Sequence, residues 1–418
     1  MTYQEKIDWL FVQFPSYQKV GGRAYKPGMD TMLAFDAELG HPHRAYPTVH
    51  IAGTNGKGST SHMIAAGLAA SGKRVGLYTS PHLVDFRERM RIVTADGYQL
   101  ISCDKVESFL DRWKPFFEKE KPSFFEITTA MAFDWFASMK VDVAVIETGL
   151  GGRLDSTNII TPVLSVITNI GLEHCEHLGY TLPEVAYEKA GIIKPGVPAV
   201  VGEVLPETEP VFVNKAAECG SELVFAQRAP RFLQIGVDDL DLKGDYQVRN
   251  LATVSAAASM LRADRISFEK GLRHAASLTG LRGRWETIRE AGEGCAKIIC
   301  DTGHNAHGLR WVAEQVDRVS CDYGKVVFIF GAVKDKDLHA IAPLLPRNVK
   351  YIFTQPSCDR AMPFADLANL MSDHGISGLT APTVEEALSL AEKETSRKDL
   401  IFVGGSNYVV AELIRRGR

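Results

Sequence analysis

Long apolar runs are missing from this sequence. No stretch reaches the ~18–20 apolar residues that cross a bilayer. The first residues, MTYQEKIDWLFVQF, mix acidic with apolar side chains, with no basic segment ahead of an apolar run, so neither a membrane span nor a secretory leader is expected. Cysteine is scarce and irregular. Cys103, Cys175, Cys219, Cys295, Cys300, Cys321 and Cys358 are odd in number and never spaced as CxxC, which speaks against a disulfide framework and against a zinc site. Free thiols in a reducing cytoplasm are expected. An excess of one charge is also missing: 47 Lys and Arg stand against 51 Asp and Glu, a formal net charge of −4. A nucleic acid or an anionic membrane surface is therefore not the expected partner, and a small molecule is. There is no internal repeat and no low-complexity segment.

What is present is length and regular alternation. The chain's 418 residues exceed the roughly 250–300 at which a single core stops growing. Residues 46–53 read as a buried strand, 54–58 as a tight loop, 59–71 as a helix and 74–80 as a strand. Apolar runs at 141–146, 164–168 and 197–202 alternate with helical stretches at 125–139 and 182–190, which predicts a mostly parallel sheet covered on both faces. An Ala-rich helix is expected over 250–261. After the Gly/Arg-rich stretch 281–285 the pattern restarts, with strands near 297–300, 326–330, 351–354 and 400–403. The expected fold is α/β: a P-loop-type domain over residues 1–283, then a smaller, Rossmann-like doubly wound domain over 284–418.

The segment GTNGKGST at 53–60 lies between the first strand and its helix, where backbone N–H groups and the positive helix end can hold phosphate oxygens. Gly56, Lys57, Gly58 and Ser59 are its candidate nucleotide contacts, with Lys57 supplying a point charge. The common GxxxxGK[ST] pattern is not met, because Ile51 occupies its first glycine position and Gly58 separates Lys57 from Ser59. A plain glycine-rich turn with a solvated lysine is the alternative reading.

This version of the loop resembles the Mur ligase superfamily. The segments that follow resemble its folate branch, the dihydrofolate synthase/folylpolyglutamate synthase family: YTSPHL at 78–83 with FRER at 86–89, ETGLGGRLDSTN at 147–158, TNIGLEH at 168–174, and EKAGIIK at 188–194. Weaker matches run through YQVRN at 246–250, GRWE at 283–286 and DTGHN at 301–305 to Gly404-Gly405-Ser406, so the likeness spans nearly the whole chain. The departures are Glu173 for the family's usual Asp, Thr302-Gly303 and Ala306 within its DGAHNP run, and Asn407 for the Leu of its Gly-Ser-Leu.

The resemblance implies an ATP-dependent amide ligase. ATP phosphorylates a folate-type carboxylate, and the amine of L-glutamate then attacks the acyl phosphate. It implies two Mg²⁺ ions with Ser80, Glu147 and His174 at ligand positions, and catalytic roles for Lys57, His174 and Lys189. Lys189 is expected as a carbamate, because an ammonium offers a metal no lone pair. It assigns Phe125, Glu126, Leu154, Asp155 and Ser156 to the pterin, with Phe124 a second aromatic candidate. Asn250, Arg284 and Asp301 are assigned to the nucleotide, and His304 and Asn305 to positioning glutamate or nucleotide. From the residues alone other readings stay open: Glu147 as a cap or surface acid, His174 as an ordinary hydrogen-bonded histidine, Phe124 as core, and His304 and Asn305 as turn caps. Glycines 149, 151 and 152 suit either tight turns or close approach to a ligand.

Two rivals differ in kind: a murein-type ligase adding an amino acid to a nucleotide-linked peptide, and a non-enzymatic nucleotide sensor. The segments 80–83 and 149–155 favour the folate branch, and within it 80–83 and 154–156 resemble bifunctional members more than polyglutamylating specialists. A cytoplasmic monomer is expected.

Overall fold

The computed structural model describes residues 2–16 and 28–416. The chain divides into two compact units, Met1–Asp241 with Gln247–Leu281, and Leu242–Tyr246 with Arg282–Arg418.

The first unit is built on an eight-stranded sheet. Its strands are β1 (Thr48–Ala52), β2 (Val75–Tyr78), β3 (Met90–Thr94), β4 (Gly97–Leu100), β5 (Val143–Glu147), β6 (Leu164–Ile167), β7 (Ala199–Val201) and β8 (Leu223–Phe225). Their order across the sheet is β4-β3-β2-β5-β1-β6-β7-β8. From β2 to β8 all neighbours pair parallel, and only the β2–β3–β4 edge is antiparallel. β1, β2, β5, β6 and β7 are buried along their whole length, which is why they read as continuous apolar runs. The edge hairpin is not foreshadowed by the sequence pattern. Arg91 interrupts β3, and β4 is half exposed, so neither has the pattern of a buried strand.

Register fixes the working edge of this sheet. Ile51 pairs with Glu147 and Ala52 with Ile167, so the carboxyl ends of β5, β1 and β6 finish side by side. The order places β1 between β5 and β6, with β2 beyond β5. That is the kind of reversal at which open α/β sheets leave a crevice. One face carries an aromatic cluster that includes Phe35, Phe109, Phe117, Phe124, Phe133 and Phe136. A smaller aliphatic cluster around Ile167, Val185, Ile192 and Val201 seats the helix Leu182–Ala190.

The second unit has a six-stranded sheet of β9 (Glu286–Arg289), β10 (Lys297–Cys300), β11 (Val326–Gly331), β12 (Lys350–Thr354), β13 (Gly378–Thr380) and β14 (Leu400–Gly404), in the order β13-β12-β11-β14-β10-β9. Only β9 runs antiparallel to its neighbour. Its core includes Phe328, Phe330, Phe353, Phe402 and Trp285. Both units thus have the expected mostly parallel α/β architecture. Among the described residues, no helix is long and apolar enough to cross a membrane.

Candidate active site

The loop after β1 is held from below by the segment after β6. Thr54 N–H donates to Asn169 O (3.0 Å), Asn55 N–H donates to Asn169 Oδ1 (2.9 Å), and Thr168 Oγ1 donates to Asn55 O (2.6 Å). Thr54 Oγ1 donates to Gly171 O and accepts from Gly171 N–H, at 3.0 and 2.9 Å. Two glycines are required here. A Cβ on Gly53 (φ 147°) would lie 1.8 Å from Thr168 Oγ1, and one on Gly56 (φ 81°) would lie 2.2 Å from Asn250 Oδ1. Gly56 caps the helix Lys57–Ala70, which begins two residues earlier than the sequence suggests and directs its first N–H groups at the loop. Ser59 Oγ accepts from Gln247 Nε2 (3.2 Å), and Gln247 Oε1 accepts from Asn250 Nδ2 (2.8 Å). Asn250 and Ser59, both expected at the nucleotide, are therefore joined through Gln247, a residue to which sequence reasoning gave no role.

Two lysines meet at one carbonyl. Lys57 Nζ donates to Gly53 O (2.8 Å) and Thr54 O (3.1 Å), and Lys189 Nζ reaches the same Gly53 O at 3.0 Å. Lys189 lies in the last turn of its helix and is only 3% exposed. Burial, reinforced by the Lys57 charge, brings its pKa down to about 7. Glu147 ends β5, 3% exposed, and accepts from Ser80 N–H at 3.4 Å, so two of the three expected metal-binding residues are brought together. His174 precedes the helix Cys175–Leu178 in a left-handed conformation (φ 57°), uncommon for a non-glycine residue, with Nε2 3.9 Å from Glu173 Oε1.

The expected pterin residues are more engaged in structure than their types suggest. Asp155 accepts from Gly149 N–H (2.9 Å), Leu150 N–H (2.8 Å), Thr157 N–H (3.0 Å) and the Thr157 hydroxyl. Four donors fill the usual acceptor positions of one carboxylate, so its side chain closes its own loop. Burial nevertheless raises its pKa. Glu126 Oε2 accepts from Ser123 N–H (2.6 Å) while Ser123 Oγ accepts from Glu126 N–H (3.2 Å), a capping box at the start of the helix Phe124–Ser138. Phe124 is core: it stacks on Phe11 at 4.9 Å, and the Arg89 guanidinium lies 5.1 Å from its ring. Phe125 is only partly buried. It lies 5.8 Å from the Tyr78 ring and so close to Gly149 that a Cβ there would be 2.6 Å from its Cζ. Gly152 is equally constrained, since its Cβ would be 2.9 Å from Glu188 O and Lys189 O.

In the second unit, Asp301 follows β10. It accepts from Tyr246 OH (2.6 Å), Trp285 N–H (2.8 Å) and Gly303 N–H (2.7 Å), and burial raises its pKa. Arg284 donates to Gly283 O (3.1 Å) and to the Thr302 hydroxyl. His304 Nδ1 lies 2.9 Å from Thr302 O, and Asn305 caps the helix Ala306–Val319 by accepting from Gly308 N–H (2.7 Å). Tyr246 stands in the sequence motif without a task; its hydroxyl on Asp301 supplies one.

Residues 51–225 match the model of the Mur ligase middle domain, and residues 283–407 that of the Mur ligase glutamate ligase domain. The chain is 31% identical over 446 residues to the dihydrofolate synthase/folylpolyglutamate synthase of Bacillus subtilis, covering 99% of each chain. It is 34% identical over 413 residues to a probable bifunctional folylpolyglutamate synthase/dihydropteroate synthase of Halobacterium salinarum, covering 93% of this chain but 49% of that one, so it spans about half of that relative's length. The structure of Mycobacterium tuberculosis folylpolyglutamate synthase complexed with ADP and AMPPCP superposes with a TM-score of 0.85 at 27% identity, covering 100% of this chain and 98% of the other. A bifunctional folylpolyglutamate synthase/dihydrofolate synthase with Mn, AMPPNP and L-glutamate bound gives 0.81 at 28% identity, with 100% and 98% covered.

Proposed function

Because the chain belongs to the dihydrofolate synthase/folylpolyglutamate synthase family of the Mur ligases, we propose that it is an ATP-dependent ligase joining L-glutamate to a folate-type carboxylate. The acceptors are dihydropteroate and the γ-carboxylate of folates, both served by one site. The observation that carries this reading is the convergence of the 53–60 loop, Ser80, Glu147 and the buried Lys189 at the carboxyl edge of one sheet.

A carboxylate oxygen attacks the γ-phosphorus of ATP, ADP departs, and an acyl phosphate forms. The glutamate amine then attacks the acyl carbon, loses a proton and expels phosphate, leaving an amide. Both anions must be held together against their repulsion, so charge neutralisation and positioning supply most of the catalysis. The loop N–H groups and Lys57 hold the polyphosphate, Phe125 offers an aromatic face to the pterin, and Leu154 and Ser156 border it on the loop that Asp155 closes. Asn250, Arg284 and Asp301 contact the nucleotide, and His304 and Asn305 position the incoming glutamate.

The donor set fits a hard divalent cation. Among the described residues no three His, Cys, Asp or Glu side chains could hold a metal ion by themselves. Ser80, Glu147 and His174 would therefore hold magnesium together with water and phosphate oxygens, as that ion commonly accepts. Magnesium, two ions in this reading, supplies charge neutralisation between the substrates when bound.

Lys189 is suited to carbamylation. Its neutral amine is accessible near pH 7, and attack on CO₂ forms an N–C bond and releases a proton, converting a cation into an anionic oxygen donor. Lys189→Ala should lose most turnover and regain part of it with added acetate; an unimpaired mutant would remove the carbamate from the mechanism.

A cytoplasmic setting suits the substrates. Phosphate release and product mass, measured with glutamate and either dihydropteroate or tetrahydrofolate, test the whole reading. One added glutamate on each acceptor is expected; turnover only with a nucleotide-linked peptide would replace it with the murein-type reading.

A further inference from the structure

His50 has no part in the chemistry above, yet it stands in the middle of the central strand, between Val49 and Ile51, and is completely buried. Its Nε2 lies 2.8 Å from Thr157 Oγ1. The direction of the bonds follows from what each group can give. The Thr157 hydroxyl donates its only proton to Asp155, so towards His50 it can only accept. The proton on the imidazole must then sit on Nε2, which leaves Nδ1 a bare lone pair. Of the two His50 ring nitrogens, Nδ1 is the one buried without a hydrogen-bond partner among the described residues. Burial, aided by the nearby Lys194 charge, brings the His50 pKa down to about 3, which keeps the ring neutral.

The chain of contacts continues to the substrate face. Asp155, fixed on one oxygen by Thr157, uses the other to hold the N–H groups of Gly149 and Leu150. Gly149 in turn lies against the ring of Phe125. We propose that His50 is a positioning residue for the folate substrate: from inside the sheet it orients Thr157, through Thr157 it orients Asp155, and so it sets the 149–152 backbone against Phe125. This rests on the folate reading above. None of these hydrogen bonds is made to the phosphate loop, so the effect falls first on the folate side of the reaction.

The test uses the full chain. Replacement with Met keeps volume and removes the donor, Asn places an amide near Nδ1, and Gln places an N–H near Nε2. His50→Met and His50→Asn are expected to raise KM for dihydropteroate about tenfold with KM for ATP held within about twofold, and His50→Gln to restore it. Thr157→Val should match His50→Met, and the double variant should be no worse than either, as for residues acting in series. In the wild-type protein, ¹⁵N spectra should show a neutral, Nε2-protonated His50 across about pH 5–8. An Nδ1-protonated ring, an unchanged folate KM in His50→Met, equal rises in both KM values, or failure of Gln to rescue would each overturn the proposal. A wild-type protein inactive on every pteroate and folate would overturn the folate reading with it, whereas wild-type activity with any of these four results strikes His50 alone.

Discussion

The Gly53 carbonyl is where single residues matter most, because two ammonium groups share one acceptor and both cannot keep a full charge there at low cost. Lys189 is the one that yields, with its pKa lowered to about 7. The sign of the consequence is fixed. Between about pH 7 and the ordinary lysine range the unfolded chain binds a proton that the native chain does not, so stability rises with pH across that window. Below it the penalty of the buried charge is fully present. Without nucleotide, metal or bicarbonate, Lys189→Met is therefore expected to melt above the wild type at pH 6, with the gap closing towards pH 10; a gap that widens with pH would contradict the assignment. Lys57→Ala should behave differently. Its amine donates to two carbonyls of its own loop, so removal should change stability by no more than about 1 kcal/mol while turnover falls by at least about 10³-fold at saturating ATP. Near wild-type rates in that variant would exclude Lys57 from phosphoryl transfer.

Elements differ in how far they can be read from the chain. β1, β5 and β6 are legible because strands buried on both faces are continuous apolar runs, and the glycine loop is legible because its backbone needs residues without a Cβ. Side chains whose partners are backbone groups are not. The resemblance assigns Asp155 to the pterin, and nothing in the sequence announces the four bonds it makes to atoms of its own loop. The capping role of Glu126 does have a signal, since Ser123 stands three residues ahead of it in a capping-box pattern. Gln247 and Tyr246 carry no signal beyond their motif. A test of the loop element is Gly56→Ala. It combines positive φ with a clash against Asn250, and should raise KM for ATP about tenfold or more while KM for the folate stays within about twofold. Equal effects on both would mean that the loop does not act on the nucleotide specifically.

Arg284 and Asp301 lie far from the phosphate loop in sequence. Arg284→Ala and Asp301→Ala should each raise KM for ATP, by about fivefold or more, with little change in melting temperature for the arginine and a larger drop for the aspartate, whose three donors would be left without an acceptor. Unchanged ATP kinetics in both would withdraw the second unit from nucleotide binding.

Leu242–Tyr246 belongs to the second unit although first-unit residues flank it on both sides. The two units are thus interleaved along the polypeptide and cannot be exchanged as cassettes. A single crossover near residue 281 would separate Asp301 from the Tyr246 hydroxyl it accepts from, and a chain cut at that point would part Leu242–Tyr246 from the rest of its unit. Any hybrid that takes one unit from each of two relatives must therefore carry three junctions of compatible sequence, with position 246 chosen to match the aspartate it serves.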